Sequence, residues 1–212
     1  MATPKSQRIG IWIIAVVLTI GTLGSFVAII LSNQNQQSDQ AKIQQESNQY
    51  TAAVSSQTKQ LSDKYYTQFS AYAKTPAAFD ASSVTKLVTT DLKIGDGAVL
   101  KSGSAYSAYY IGWNPKGVIF DQSIDSGALK APIAGGSLIT GWEQGVVGMK
   151  FDGIRELTIP SSLAYGATGS GANIPANTPI KFVVMVIPKV TEITIPPELL
   201  QYYESQQQSS GS

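Results

Sequence analysis

The hydrophobic pattern divides the chain into segments of different period. Ile9 to Leu31 is an unbroken run of 23 uncharged residues dominated by Ile, Val, Leu, Ala, Phe and Trp. Such a run is long enough to cross roughly 30 Å of hydrocarbon as a helix. Lys5 and Arg8 precede it, and the next basic residue is Lys42. The positive-inside rule then puts residues 1–8 in the cytoplasm and everything after residue 31 outside it. A cleaved signal peptide is the competing reading. Its apolar region spans about 7–15 residues before a small-x-small cleavage site, and Ile29-Ile30-Leu31-Ser32-Asn33 is a poor one. The run 9–31 is therefore expected to be an uncleaved, single-pass membrane anchor.

Residues 32–81 are rich in Gln, Ser and Ala. Within them Ile43, Tyr50, Val54, Leu61, Tyr65, Phe69 and Tyr72 recur at steps of 7, 4, 7, 4, 4 and 3. That spacing predicts a helix with one apolar stripe on a polar background. A solvated stalk, a self-associating helix and a helix that packs on the following domain all fit the stripe. Tyr65, Tyr66 and Phe69 favour packing for the C-terminal half. The stripe holds no clean heptad. Pro76 is expected to end the helix.

From residue 82 to 190 the period shortens. Thr85 to Ile94 alternates and is β-branched, Gly95-Asp96-Gly97 turns the chain, and Ser104 to Trp113 is a second, Tyr-rich strand. Asn114-Pro115-Lys116-Gly117 is a turn, followed by the strand Val118-Ile119-Phe120-Asp121. Gly153 to Ile159 is another strand. Ile180 to Ile187 is apolar on both faces, which predicts a central strand covered on each side. Thr140 and Glu143 have the spacing of a capping box at the start of a short helix, with Trp142, Val146 and Met149 on its sheet-facing side. Several strands and one short helix give an α+β domain, a curved antiparallel sheet wrapping that helix. Residues 191–212 hold one more short helix, beginning near Pro197-Glu198. Gln206 to Ser212 reads as a low-complexity tail without fixed structure.

Composition mainly excludes. The chain has 212 residues, a net charge of +1 and only 14% charged residues, with no basic run. Nothing there suggests a nucleic-acid surface. His and Cys are absent, which removes thiol catalysis, disulfides, Cys/His zinc sites, a lipid-anchor Cys and any His-based triad. No metal or other cofactor is expected. The loop Gly166-Ala167-Thr168-Gly169-Ser170-Gly171 is glycine-rich, but it lacks the G-x-G-x-x-G spacing and no Lys-Ser/Thr follows. A phosphate cradle is therefore not indicated.

Several pieces, in order, carry more information than any one of them. These are Tyr109-Tyr110-Ile111-Gly112, Phe120-Asp121, Leu138-Ile139-Thr140-Gly141-Trp142-Glu143-Gln144-Gly145-Val146-Val147-Gly148-Met149, Arg155-Glu156-Leu157-Thr158-Ile159-Pro160, Leu163-Ala164-Tyr165-Gly166, Ile174-Pro175 and Phe182. Together they resemble the FKBP-type peptidyl-prolyl isomerases, the FK506-binding proteins, over roughly Thr85 to Val190. Taken singly, an aromatic residue among strands is ordinary core. The resemblance implies a half-barrel of antiparallel strands around a short helix and acceleration of X-Pro rotation without a nucleophile, metal or proton shuttle.

Site roles follow from the same resemblance. Trp142 would be the pocket floor, with Tyr110, Phe120, Leu138, Ile139 and Phe182 as apolar walls. Tyr165 would offer its hydroxyl to a substrate carbonyl, and Ile174 its backbone N–H to another. Asp121 would accept a hydrogen bond at the edge, oriented by Tyr110. Leu129 and Ser170 would complete the substrate-binding rim. Departures from the family pattern sit there: Ser137 replaces a frequent Gln or Glu, Leu129 and Ala131 replace aromatic residues, and Ser170 and Asn173 replace bulkier ones. The implied partners are Pro-containing polypeptides of exported or surface proteins and FK506-like macrolides. The alternative is a non-catalytic FKBP-like module that holds unfolded or Pro-containing segments.

Overall fold

A computed structural model describes residues 34–209 of the chain. The expected cytoplasmic segment 1–8 and anchor 9–31 lie outside the described residues. Among the described residues no helix is long and apolar enough to cross a membrane. The chain forms two compact units, one of residues up to Gln57 together with those from Thr191, the other Thr58–Val190. The second unit thus starts well before residue 82, where the change of pattern put the boundary.

A six-stranded antiparallel sheet organises the unit Thr58–Val190. Its strands are β1 (Val88–Lys93), β2 (Tyr106–Trp113), β3 (Ile119–Gln122), β6 (Ile133–Ala134), β7 (Ile154–Ile159) and β8 (Ile180–Pro188). The order is β1-β7-β8-β2-β3, and β6 pairs with the beginning of β2. Between β3 and β6 the chain makes a small hairpin of β4 (Ile124–Asp125) and β5 (Ala128–Leu129).

β8 is the central strand that its composition predicts. Ile180, Phe182, Val184 and Val186 enter one core together with Tyr106, Ala108, Leu157, Ile159 and Trp142. Val183, Met185 and Ile187 enter another with Tyr109, Ile111 and Trp113. The period of two along a strand sends successive side chains to opposite faces, so each needs its own cover. The first face is covered by α2 (Thr140–Val146). Gly141 and Gly145 let this helix lie close, since a Cβ would stand 2.3 Å from Ile159 Cγ2 and 2.7 Å from Leu157 Cδ2. The second face is covered by the end of α1 (Gln34–Ser70), through Tyr65 and Phe69. Of the three readings of the apolar stripe, packing on the domain is the one realised from Thr58 onward. α1 stops at Ser70, ahead of Pro76, in tight turns such as Tyr72 N–H to Phe69 O at 3.0 Å.

The capping-box reading of α2 is corrected. Ile139 is the N-cap and makes no side-chain cap bond, so Thr140 already lies inside the helix. Glu143 instead accepts the N–H groups of Gly136 and Leu138 from the preceding loop.

In the other unit, the first part of α1 and α3 (Pro197–Ser209) are linked by Lys42 Nζ to Glu198 Oε1 at 3.2 Å. Gln57 Nε2 donates to Thr191 O at 2.9 Å. α3 continues to Ser209, so residues 206–209 are helical rather than the unstructured tail expected; Gln has good helix propensity, and low complexity alone does not oppose a helix.

Candidate active site

Four aromatic rings meet on the α2 face of the sheet. Trp142, the third residue of α2, lies edge-to-face on Phe182 of β8 with ring centres 4.9 Å apart. Tyr110 of β2 contacts both, at 5.6 Å from Trp142 and 6.1 Å from Phe182. Phe120 of β3 meets Phe182 at 5.5 Å. Edge-to-face pairs contribute about 0.5–1.5 kcal/mol each beyond their buried area, so the rings hold one another in place. Trp142 and Phe182 are 2% and 4% exposed, while Tyr110 and Phe120 are half-buried and form the accessible side.

A β-bulge makes the Phe120-Asp121 pair usable. Gly112 pairs with Asp121 and Trp113 with Ile119, leaving Phe120 as the extra residue. In a regular strand consecutive side chains would point to opposite faces; the bulge re-aims one of them. Phe120 thereby reaches Phe182, and Asp121 reaches the hydroxyl of Tyr110, which donates to its Oδ2. Asp121 Oδ1 also accepts the N–H of Gln122 at 2.8 Å, with Lys130 Nζ 3.9 Å away. Burial first, then the Asp121 carboxylate, raises the Tyr110 phenol far above its ordinary range. Its proton therefore stays on oxygen, and Tyr110 orients Asp121.

Tyr165 is half-buried against the same core, and its hydroxyl has no protein partner among the described residues. Burial, followed by the charge of Asp121, raises its pKa as well. Leu138 and Ile139 also pack on this core. Ile174 is buried in it, and its carbonyl accepts the N–H of Ser170 at 2.7 Å, which leaves Ser170 exposed at the outer edge of the loop.

Leu129 does not belong to this site. Its side chain is buried in the core on the α1 face with Tyr65 and Tyr109, and its N–H donates to Ser62 Oγ at 2.9 Å. The β4–β5 hairpin folds toward α1, and a Leu on it gains more by entering that core than by lining an open rim.

Other residues shape the site without having been singled out for it. Gly112 stands opposite Phe182 in the β2–β8 ladder. Asn114 is buried, and its Nδ2 donates to Asn173 O at 2.9 Å while Oδ1 accepts from Lys116 and Val118 N–H, tying the β2–β3 turn to the loop of Ile174. Arg155 of β7 holds Asp91 of β1 through Nε at 2.6 Å, and its Nη1 donates to the Gly145 carbonyl at 2.8 Å near the end of α2. A buried Asn and a half-buried Arg cannot be told from surface residues by their letters alone. Among the described residues no group of three or more acidic side chains is arranged to hold a metal.

The family model for FKBP-type peptidyl-prolyl cis-trans isomerases matches residues 97–187. The FK506-binding protein of Neisseria meningitidis serogroup A is 38% identical over 102 residues, which cover 48% of this chain and 94% of that protein. FK506-binding protein 4 of Rhizopus delemar is 38% identical over 101 residues, 48% of this chain but only 26% of that longer protein. The crystal structure of AtFKBP13 aligns at 31% identity over 49% of this chain and 93% of that one, with a TM-score of 0.44. With a relative matched over almost its whole length, this chain belongs to the FKBP-type peptidyl-prolyl cis-trans isomerase family.

Proposed function

We propose that this chain accelerates rotation about X-Pro bonds in extracytoplasmic polypeptides. One observation carries the proposal: the Trp142 and Phe182 rings lie 4.9 Å apart in a single aromatic cluster with Tyr110 and Phe120. Amide resonance sets a barrier of roughly 18–20 kcal/mol to rotation. Resonance also polarises the planar bond, and twisting removes that polarity. An apolar, water-poor cradle thus favours the twisted state over the planar one, with no covalent step.

The groups around the cradle suit this scheme. Trp142 Nε1 is already bonded to Tyr106 Oη at 3.1 Å, so the indole offers the prolyl ring only its π surface. Tyr165 supplies a hydroxyl for a substrate carbonyl, and the N–H of Ile174 a second donor. Asp121, held by Tyr110, accepts at the edge. Leu138, Ile139 and Phe120 close the walls, and Ser170 borders the rim. FK506-like macrolides, which present a prolyl-like ring, would compete for the same cradle.

The test is two-dimensional exchange NMR on a short X-Pro peptide with and without the full chain. Faster cis–trans exchange supports the isomerase. Peptide binding with unchanged exchange would favour the binding-module alternative. The location is part of the proposal and rests on the apolar run Ile9–Leu31 and the preceding Lys5 and Arg8. Single Cys residues placed at Ser6 and Ser209 and treated with an impermeant reagent in intact cells should label at 209 and not at 6; the reverse would overturn the orientation.

A further inference from the structure

Beneath the aromatic cluster the Trp142–Tyr106 bond is the first link of a longer chain of polar contacts. Trp142 Nε1 donates to Tyr106 Oη at 3.1 Å, and the Tyr106 hydroxyl donates to Glu143 Oε2 at 3.2 Å. The other oxygen, Glu143 Oε1, accepts the N–H groups of Gly136 at 2.8 Å and Leu138 at 3.1 Å. One carboxylate thus joins the floor of the cradle to the loop that delivers Leu138 and Ile139 to its wall.

We propose that Glu143 and Tyr106 together are positioning residues of the isomerase site, setting the Trp142 ring and the 136–139 wall as one unit. The inference rests on the isomerase reading, but its structural half can be tested without it.

Donor and acceptor counting explains why a carboxylate is needed. Three donors converge on Glu143, and an ionised carboxylate is acceptor-only, with room for all three. A Gln of the same shape has one acceptor oxygen and one NH₂. With its oxygen toward the loop, the NH₂ faces Tyr106, whose hydroxyl already accepts from the indole; the phenolic proton then loses its acceptor. With its oxygen toward Tyr106, the NH₂ faces two N–H donors. Either orientation leaves a donor without its acceptor, the phenolic O–H in the first and the loop N–H groups in the second.

Tyr106 is built in as firmly. It is 3% exposed, and its carbonyl accepts the N–H of Gly135 at 3.0 Å. A Cβ on Gly135 would fall 2.0 Å from Tyr106 Cζ, so this glycine lets the loop lie directly against the ring. Burial, then the nearby Glu143 charge, pushes the phenol pKa far up, which keeps the proton that the relay requires.

The experiment compares the full chain with Glu143→Gln, Tyr106→Phe and the double variant. The first readout is NMR of the Trp142 indole N–H and of amide exchange at Gly136 and Leu138. The second is catalysed exchange of the X-Pro peptide. Glu143→Gln should either speed amide exchange at 136 and 138 at least tenfold, if its NH₂ turns to the loop, or shift the Trp142 indole N–H resonance, if its NH₂ turns to Tyr106; Tyr106→Phe should shift the indole N–H resonance. Each should lower catalysed exchange several-fold, and the double variant should lose no more than the worse single one. Unmoved NMR signals would overturn the relay. Moved signals with unaltered catalysis, or losses that multiply in the double variant, would overturn its positioning role. If even the unaltered chain fails to accelerate exchange, the isomerase reading falls and the positioning role with it, while the NMR arm still decides whether the relay exists.

Discussion

Gly112 faces Phe182 across the β2–β8 ladder, and a Cβ added there would stand 2.4 Å from the Phe182 ring and 2.7 Å from that of Phe120. A missing side chain on β2 is what admits two rings from β8 and β3. Gly112 and Asp121 are also partners across the bulge, so the same position serves both the apolar and the polar side of the site.

Gly112→Ala should therefore act on the site more than on the fold. The rings must move by roughly 0.7–1 Å to reach ordinary contact, and overpacking of this kind costs typically 1–3 kcal/mol. Catalysed exchange should fall roughly tenfold or more, while urea unfolding remains a single cooperative transition. Wild-type activity in this variant would mean that the spacing of Phe120 and Phe182 is unimportant.

The end of α1 should behave as part of the catalytic unit. Phe69 is fully buried against Tyr109 on the sheet, with ring centres 6.2 Å apart. Phe69→Ala should cost about 3–5 kcal/mol, as removal of a buried aromatic does. A chain starting at Ser82 would also lose the acceptor of Trp113 Nε1, the carbonyl of Ala77 at 3.1 Å, and would bare the apolar face of Tyr109, Ile111 and Met185. It should aggregate or unfold at lower urea; equal stability would refute the packing role.

Stability should fall on the alkaline side. Burial is the first cause that raises the phenols of Tyr106, Tyr109 and Tyr110. In the unfolded chain a Tyr ionises near pH 10. Above that pH the unfolded state binds fewer protons than the native state, so stability is fully present below about pH 10 and declines as pH rises toward the native values. Each such Tyr adds a slope of up to about 1.4 kcal/mol per pH unit. Urea unfolding between pH 9 and 11 should show this decline, and Tyr106→Phe should make it shallower. An unchanged slope in that variant would contradict the assignment.

Much of this was legible in the sequence, for identifiable reasons. β8 announced itself because apolar residues on both faces need two covers, and Tyr65 and Phe69 supplied one of them. The aromatic cluster was legible as a resemblance, since Tyr110, Phe120, Trp142 and Phe182 are far apart in the chain. What failed depended on tertiary geometry. Leu129 sits on a hairpin whose two-residue strands do not reveal which face they turn to. The Thr140–Glu143 spacing fits a capping box only if Thr140 precedes the helix; with Ile139 at that position, Glu143 is free to bond the loop and Tyr106. The bulge at Phe120 and the close approach at Gly112 leave no pattern in the letters around them.

The most direct measurement compares Phe182→Ala with Val183→Ala. These neighbours on β8 lie in the cores on opposite faces of the sheet, the first among the aromatic rings and the second on the α1 side. Both substitutions remove buried apolar volume, so both should lower stability. At a temperature where both variants are fully folded, catalysed X-Pro exchange should fall at least tenfold in Phe182→Ala and stay near the unaltered rate in Val183→Ala. Equal rates in the two variants would contradict an aromatic cradle as the source of catalysis.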